Sequence, residues 1–443
     1  MDEREALEAA QQAVAIATKA GAAACEATIG VTRRFHVEAR EKTLSKLEQS
    51  TGKTLQMRLF CEGKKVSLSS SDFSQTGIES AIAAAVEQSR YVAGDEWSGL
   101  PDECGRFEGD LALYDTGIAE REDTAKVDDA LALEKMIRDA DPRVVNSSGS
   151  NYADAVSIVA LANSAGFADS YTSTRASRST SPVAEEGSVK RTAHYGTAGR
   201  YAKDLEDSQT VARIAAKRTV EMFGARKPPT ARLPVIFDRD IAAAVLDDLF
   251  SAISAGNVAV GNSWLADRIG ERVGSDLVTI VDDGTLHGRL GSSPFDGEGV
   301  ATRRTPVFER GVLRTFLYDT YYGRKLGAES TGNSTGGGIG TNNFYLEPGT
   351  QTLEELIAST PRGVLVLDTI GFATEHATGT YSRGARGFLI ENGELSHPID
   401  EFTIAGNFAA MLAAIDGVAN DLRFDGSVVS PSFRVAEMTI SGN

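Results

Sequence analysis

Cysteine is scarce in this chain of 443 residues. Its three cysteines, Cys25, Cys61 and Cys104, are odd in number and form no C-x-x-C pair, which predicts free thiols in a reducing compartment rather than a disulfide framework. Long apolar runs are also missing, because the apolar stretch that begins at Ala13 ends at Thr18 and no net positive segment precedes it. We therefore expect a cytoplasmic protein without a signal peptide or a membrane span.

Positive charge is scarce as well. The 45 lysines and arginines are outnumbered by 62 aspartates and glutamates, for a net charge of −17. Basic pairs such as Arg33–Arg34 and Arg303–Arg304 are scattered and mixed with acidic residues. Because an acidic surface repels nucleic-acid phosphates and anionic lipid head groups, we expect neither direct nucleic-acid binding nor a membrane partner.

Glycine, in contrast, is abundant, with 44 residues against 12 prolines, and this balance predicts many tight turns between strands. Apolar residues at helical spacing predict helices over Glu3–Ala24 and Asp240–Ser254. Alternation from Leu55 to Cys61 predicts one strand of a hairpin. Since no β-α-β alternation repeats, we predict an α+β fold with a mainly antiparallel C-terminal part rather than a doubly wound parallel sheet.

Three prolines between Ala225 and Pro234 indicate a linker. This linker divides the chain into an N-terminal region, residues 1–229, built from helices and an antiparallel sheet, and a β-rich C-terminal domain, residues 230–443. Glycines spread through residues 94–120 predict a break between two subdomains of the N-terminal region. The glycine-rich C-terminal domain is then larger than either of these two subdomains.

Zinc peptidases usually hold the metal with two histidines one helical turn apart and a glutamate between or beside them. The five histidines here are too dispersed for that arrangement, since the closest two are 21 residues apart; they are His36, His194, His287, His376 and His397. The sequence therefore offers no metal-ligand set and no assembled catalytic residues. A non-standard site built from distant histidines, which would make the chain an autonomous metallopeptidase, is an alternative.

Ser334 lies in the segment Gly332–Gly336, which matches the G-x-S-x-G pattern of a serine nucleophile. That nucleophile requires a helix after it, whereas Gly336–Gly338 disfavour one. We therefore interpret the segment as a flexible glycine loop and keep a serine hydrolase as an alternative. Asp247 and Asp248 do not predict a proton-sharing pair either, because neighbours on a helix point about 100° apart.

The polar segment from Thr380 to Gly384 is a candidate for a binding loop. Arg383 carries a planar fork of donors that suits a peptide carboxylate or peptide carbonyls. We predict that this loop lines a groove. The competing interpretation is a structural turn with a surface arginine.

Five ordered runs in the C-terminal half carry a resemblance to a known family. They are SSPFDGEGV at 292–300, STGN at 330–333, NNFYLEPG at 342–349, YSRGARGF at 381–388 and PIDEFTIAGN at 398–407. Together they resemble the TldD/PmbA family of metalloproteases, and in particular its PmbA, or TldE, branch. The chain length and the N-terminal helix and hairpin agree with a resemblance over the whole chain.

The resemblance implies how this chain differs from the active branch. The TldD branch looks like a zinc peptidase with an H-E-x-x-x-H helix after the domain boundary and a cysteine near the C-terminus. In this sequence the corresponding positions fall near Asp247, Asp248 and Ala252, and the last cysteine is Cys104. An alanine cannot bind a metal. The resemblance therefore implies no cofactor in this chain and zinc in a TldD-like partner.

From this resemblance we expect a non-catalytic subunit that forms a heterodimer with a TldD-like catalytic subunit. The pair would degrade or trim short unfolded peptides, which this chain would help to hold by strand addition. The residues expected near the peptide are Thr331, Gly332, Asn333, Tyr381, Ser382 and Arg383. Older names connect the family with DNA gyrase, and the acidic charge implies that any such effect is indirect. A homodimeric binding protein without proteolytic activity is the remaining alternative.

Overall fold

The structure is a computed structural model that describes residues 1–371 and 374–442. Among these residues, no helix is both long enough and apolar enough to cross a membrane. The helices are α1 (Glu3–Lys19), α2 (Gln75–Ser89), α3 (Thr116–Ala119), α4 (Asp123–Asp139), α5 (Ser208–Val220), α6 (Arg239–Ile253), α7 (Ala255–Ala259), α8 (Thr320–Leu326), α9 (Leu353–Ala358) and α10 (Phe408–Ala413).

The first sheet is antiparallel throughout. Its strands are β1 (Ala24–Arg40), β2 (Thr43–Cys61), β3 (Lys64–Ser70), β4 (Val144–Asn163), β5 (Ala168–Glu186), β6 (Val189–Thr192) and β7 (Tyr195–Gly199). The order is β3-β2-β1-β4-β5-β6, and β7 pairs with β5. The long strands β1, β4 and β5 are at the centre of this sheet, and they position the candidate site.

The two faces of the first sheet have different neighbours. Alternate residues of β1, among them Ile29, Val31 and Val37, are buried beneath helices of the N-terminal region. A stripe of buried alanines on α1 lets the backbone of this helix lie close to the strands. The opposite face, which carries Thr32 and Arg34, lines a cavity shared with residues of the C-terminal part.

Two further sheets come from the C-terminal part. One has the order β11-β10-β9-β12-β18 and the other β13-β8-β19-β16-β15-β14, in which β13 also pairs with β15 and β17 pairs with β19. Their strands are β8 (Ala231–Phe237), β9 (Ile280–Asp283), β10 (Arg304–Glu309), β11 (Val312–Leu313), β12 (Phe344–Leu346), β13 (Arg362–Ile370), β14 (Thr374–Glu375), β15 (Thr380–Glu391), β16 (Glu394–Asn407), β17 (Ile415–Val418), β18 (Val428–Val429) and β19 (Phe433–Ser441).

Helix α6 belongs to an apolar core that joins both C-terminal sheets. Its buried residues include Val245, Leu246 and Leu249, and the same core contains Phe237 of β8 and Phe344 of β12. Asp238 caps the helix by accepting a hydrogen bond from the backbone N–H of Asp240. The position of α6 is therefore set by packing along most of its length.

The structure confirms the predicted α+β class with mainly antiparallel sheets. Over the described residues, parallel pairing occurs between β8 and β13 and between β12 and β18. The first sheet is drawn from residues 24–199 and the other two from residues 231–441. The boundary between residues 229 and 230 and the break near 94–120 stay predictions.

The linker prediction was too long at its C-terminal end, because β8 already begins at Ala231 and contains Pro234. A proline lacks the N–H that a central strand uses for pairing. On β19, however, the pairing register jumps from Met438, opposite Leu233, to Val435, opposite Val235. This irregularity lies opposite Pro234 and accommodates it.

The predicted loop at Tyr381–Arg383 was also wrong, because these residues lie within strand β15. Tyr381 is only 2% exposed, and its ring packs edge-on against Phe237 and Phe408. Polar Ser382 and Arg383 next to Gly384 hid the strand pattern, since the alternation expected of a strand is interrupted there.

Candidate functional site

The helix α6 carries the three positions that the family resemblance equates with zinc ligands. Asp247 and Asp248 point in different directions, as adjacent helical residues must. Ala252 is 1% exposed and belongs to the apolar core. The three positions therefore do not converge on a common point with three donor atoms.

Asp248 is engaged in a partly buried ion pair with Arg383 of β15. Nη2 of Arg383 lies 2.8 Å from Oδ1 and 2.6 Å from Oδ2 of Asp248. The hydroxyl of Thr374 donates a further hydrogen bond to Oδ2 over 3.1 Å. Side-chain exposures of 12% for Arg383 and 19% for Asp248 show that little of the pair reaches water. The Arg383 guanidinium thus binds the carboxylate oxygens of Asp248 that a metal ion would need as ligands.

Asp247 faces a cavity of about 790 Å³ between the first sheet and the C-terminal part. Burial, and then the negative charge of Asp248, raise the pKa of the Asp247 carboxyl. The other lining residues of the cavity are mostly serines, threonines and arginines from β1, β4 and β5 and from the loops that follow β9 and that precede β12 and β18. This polar lining can accept an extended ligand with many hydrogen-bonding groups.

Zinc does not fit the residues on α6. One of the three positions is an apolar methyl group, and one carboxylate is neutralised by Arg383. Over residues 1–371 and 374–442, histidine, cysteine, aspartate and glutamate side chains form no group of three or more that could hold a metal ion. The α6 residues of this chain therefore do not form a zinc site.

The second predicted segment, Thr331–Asn333, lies in the loop before β12 on a different sheet from Tyr381–Arg383. Thr331 Oγ1 accepts a hydrogen bond from the N–H of Tyr318 over 2.8 Å. Gly332 has a φ of +77°, and a Cβ there would lie 2.8 Å from the carbonyl oxygen of Ala301, so this turn requires glycine. The two predicted segments, Thr331–Asn333 and Tyr381–Arg383, therefore lie in different structural elements.

Asn333 and the loop around it are held by the buried carboxylate of Asp282. This carboxylate accepts hydrogen bonds from Nδ2 of Asn333 over 2.7 Å and from both the backbone N–H and Nδ2 of Asn342. Burial raises the pKa of Asp282 to about 6 although these donors oppose the shift. The clamp fixes the loop that forms one wall of a second cavity of about 240 Å³, which Asn333 and Thr28 help to line.

Asp296 and Ser334 also line this smaller cavity. Asp296 accepts hydrogen bonds from the N–H groups of Glu298, Val300 and Ser334. Burial, followed by the charge of Glu298, raises its pKa to about 7. The hydroxyl of Ser334 accepts a hydrogen bond from the N–H of Gly336. Residues 335–343 form no helix, so Ser334 lacks the structural context of a nucleophile elbow.

The run at 292–300 joins the C-terminal part to the first sheet. Arg58 of β2 lies 2.5 Å from Glu26 of β1 and 2.7 Å from Glu298, and the N–H of Thr320 donates to the other oxygen of Glu298. Burial raises the pKa of Glu26; burial also acts on Glu298, but Arg58 and Thr320 outweigh it and lower its pKa. This network seals one end of the contact between the first sheet and the C-terminal part; we call this the sealed end of the junction.

Sequence reasoning missed the contribution of β1 to the cavity. The signal was present, because Ala27, Ile29 and Val31 alternate with polar or small residues in the manner of a strand with one buried face. Arg33 interrupts the apolar series before Phe35, which conceals the pattern. As a result the cavity-facing Arg34 was interpreted only as part of a scattered basic pair.

Comparisons with known proteins agree with the architecture. The PmbA/TldA metallopeptidase C-terminal domain matches residues 230–442, and the PmbA/TldA metallopeptidase central domain matches residues 117–223. The chain is 34% identical to a metalloprotease PmbA homolog of Haemophilus influenzae, over 100% of this chain and 97% of that protein.

Solved structures show the same fold. A crystal structure of a protein described as a DNA gyrase modulator, from Bacteroides thetaiotaomicron, superposes with a TM-score of 0.92 at 28% identity over 100% of both chains. TldE from Thermococcus kodakarensis superposes with a TM-score of 0.89 at 22% identity, over 98% of this chain and 99% of that chain, which is a likeness of fold. The resemblance drawn from the five sequence runs is confirmed, and the chain belongs to the PmbA/TldD family of metallopeptidases.

Proposed function

We propose that this chain is a non-catalytic, cytoplasmic subunit of a TldD/TldE-type metalloprotease. It pairs with a TldD-like catalytic subunit that supplies the zinc, and the complex degrades or trims short unfolded peptides. Membership of the metallopeptidase family supports the proteolytic context. The non-catalytic role and the TldD-like partner are proposed in addition to this family membership.

The composition of α6 carries the proposal. The family resemblance places zinc ligands near three positions of this helix, and here they hold a cavity-facing Asp247, an Asp248 bound to Arg383, and a buried Ala252. A cation at Asp248 would compete with the guanidinium already bound there. The helix therefore has a structural role here and leaves the hydrolytic centre to a partner.

The six residues expected near the peptide keep that role as part of the proposal. Asn333 lines the smaller cavity, and Thr331 and Gly332 shape the turn that presents it. Tyr381, Ser382 and Arg383 are consecutive residues of β15, and of these Arg383 forms the ion pair with Asp248 of α6. We propose that the peptide lies near both segments.

The proposal is tested by mixing the purified full-length chain with a TldD-like subunit. Size-exclusion chromatography with light scattering measures complex formation, metal analysis measures zinc in each chain, and an unfolded peptide reports hydrolysis. We expect a stable complex, zinc in the partner alone, and hydrolysis by the complex but not by the isolated chain.

Three results would contradict this proposal. Hydrolysis by the isolated chain that a chelator abolishes would favour an autonomous metallopeptidase. Self-association together with failure to bind the TldD-like subunit would favour a homodimeric binding protein. Hydrolysis by the isolated chain that is lost in Ser334→Ala, with covalent labelling of Ser334 by a serine-directed reagent, would favour a serine hydrolase.

A further inference from the structure

Two arginines stand in one row across the centre of the first sheet. Arg34 of β1 is paired in register with Ala155 of β4, and Ala155 is paired with Arg175 of β5. Because neighbouring strands lie about 4.8 Å apart, the two arginine Cα atoms are separated by roughly 10 Å. Ala155, which stands between them, has only a methyl side chain and also lines the cavity. We call Arg34, Ala155 and Arg175 the arginine row.

A row of hydroxyl groups lies beside the arginine row on the same face. Thr32, Ser157 and Ser173 are cross-strand neighbours, two residues along each strand from the arginine row. The hydroxyls of Thr32 and Ser157 are 3.2 Å apart. All six residues line the larger cavity, so the sheet presents positive charge together with hydrogen-bonding groups.

Among the described residues, Arg34 and Arg175 differ from most other arginines in having no carboxylate partner. Within residues 1–371 and 374–442, neither Arg34 nor Arg175 forms an ion pair, and both side chains are exposed. The adjacent Arg33 instead donates to the carbonyl oxygen of Ala119. The two guanidinium groups of the row are therefore available to a ligand.

A third arginine adds positive charge to the cavity wall. Arg200 is 5% exposed, and its guanidinium donates to the carbonyl oxygens of Thr174, Arg289 and Leu290. Among the described residues, the cavity is thus lined by three arginines and one carboxylate, that of Asp247. In a chain with a net charge of −17, this is a local reversal of sign.

We propose that the arginine row binds the carboxylate of an extended peptide. Positive charge without a partner, next to hydroxyl groups in a cavity, selects an anion, and guanidinium groups bind carboxylates by charge-assisted hydrogen bonds. The peptide as carrier of that anion rests on the proposed function, whereas the preference for an anion does not. The carboxylate comes from the C-terminus of the peptide or from an acidic side chain.

Isothermal titration calorimetry of the full-length chain with three N-acetylated hexapeptides tests this inference. The first peptide has uncharged side chains and a free C-terminal carboxylate, the second is its C-terminal amide, and the third is the amide with one glutamate. We expect the first to bind about tenfold more tightly than the second, since the two differ by one charge-assisted contact. Recovery of affinity by the third identifies an acidic side chain as an equivalent source.

Variants of the cavity sharpen the test. Arg34→Gln and Arg175→Gln each weaken binding of the carboxylate peptide towards that of the amide, whereas the matched control Arg33→Gln does not. Asp247→Asn removes a negative charge that lines the cavity and is expected to tighten binding. If these residues had a purely structural role, Arg175→Gln and Asp247→Asn would not change the affinity for the carboxylate peptide in opposite directions.

The inference is overturned when the amide peptide binds as tightly as the carboxylate peptide. It is also overturned when inorganic phosphate binds and the carboxylate peptide does not, or when Arg33→Gln weakens binding as much as Arg175→Gln. Complex formation by Arg175→Gln with the TldD-like subunit is measured separately. If the wild-type chain does not bind the TldD-like subunit, the proposed function is contradicted, whereas the proposed carboxylate site is not.

Discussion

The charged side chains at the two ends of one face of strand β1 differ in whether they form ion pairs. At the sealed end, Glu26, Arg58 and Glu298 form a network in which each side chain is no more than 11% exposed. At the open end, eight residues further along β1, Arg34 faces a cavity without an ion-pair partner among the described residues. Buried charges that are paired hold the two parts of the chain together, whereas unpaired charges at a cavity are free to bind a ligand.

The largest expected effect comes from breaking the sealed end. Glu298→Ala leaves Arg58 buried with half of its partners, and we expect a loss of about 3–5 kcal/mol in the free energy of unfolding, as is typical when one member of a buried ion pair is removed. Urea denaturation of the full-length chain measures this loss.

Glu309→Ala is the matched control for this experiment, because Glu309 forms an exposed pair with Arg314. Exposed pairs contribute at most about 1 kcal/mol. Equal losses for the two variants would show that the network does not seal the junction.

The second prediction concerns pH at the boundary between the sealed end and the smaller cavity. The pKa of Asp296 is about 7 in the folded chain against an ordinary value of 3.8, so the folded state binds the proton more tightly than the unfolded state. Its stabilising contribution is present below pH 4 and is lost as pH rises to 7. The advantage of the wild type over Asp296→Asn should therefore shrink by about 2–3 kcal/mol between pH 5 and pH 8.

Urea denaturation of both proteins at each pH checks this prediction, since the comparison cancels effects of the remaining charges. An advantage that grows with pH would reverse the sign of the proposed pKa shift.

The third prediction tests the ion pair behind α6. Arg383→Gln and Asp248→Asn should each lower the free energy of unfolding by about 1–2 kcal/mol, because each leaves a charged group partly buried. The double variant should cost less than the two single variants together, since the groups are in contact. Additive losses in a double-mutant cycle would show that the two groups do not interact in solution.

The smallest effect on stability is expected at the open end. Arg175→Gln should change the free energy of unfolding by less than about 0.5 kcal/mol, because the side chain is exposed and the nearby Arg200 repels it. Thermal denaturation measures the change. A loss as large as that of Glu298→Ala would mean that the arginine row holds the fold rather than a ligand.

The sequence predicted the parts of the site that depend on local pattern. The helix Asp240–Ser254 was predicted within one residue at each end, because its apolar stripe has helical spacing. Strand β1 was not predicted, since Arg33 breaks its alternation, and Tyr381–Arg383 was wrongly predicted as a loop. Both errors fall on strands, whose stability depends on neighbours that are distant in the chain.

The sequence by itself determined the α+β class, the family and the absence of paired imidazoles on α6, because residue types and short periodic patterns carry that information. Only the tertiary structure decided which charges meet. Arg383 and Asp248 are 135 residues apart in the chain, and the arginine row exists because the register of β1, β4 and β5 aligns Arg34 with Arg175. Register and long-range packing are set by the fold as a whole, so local sequence does not reveal them.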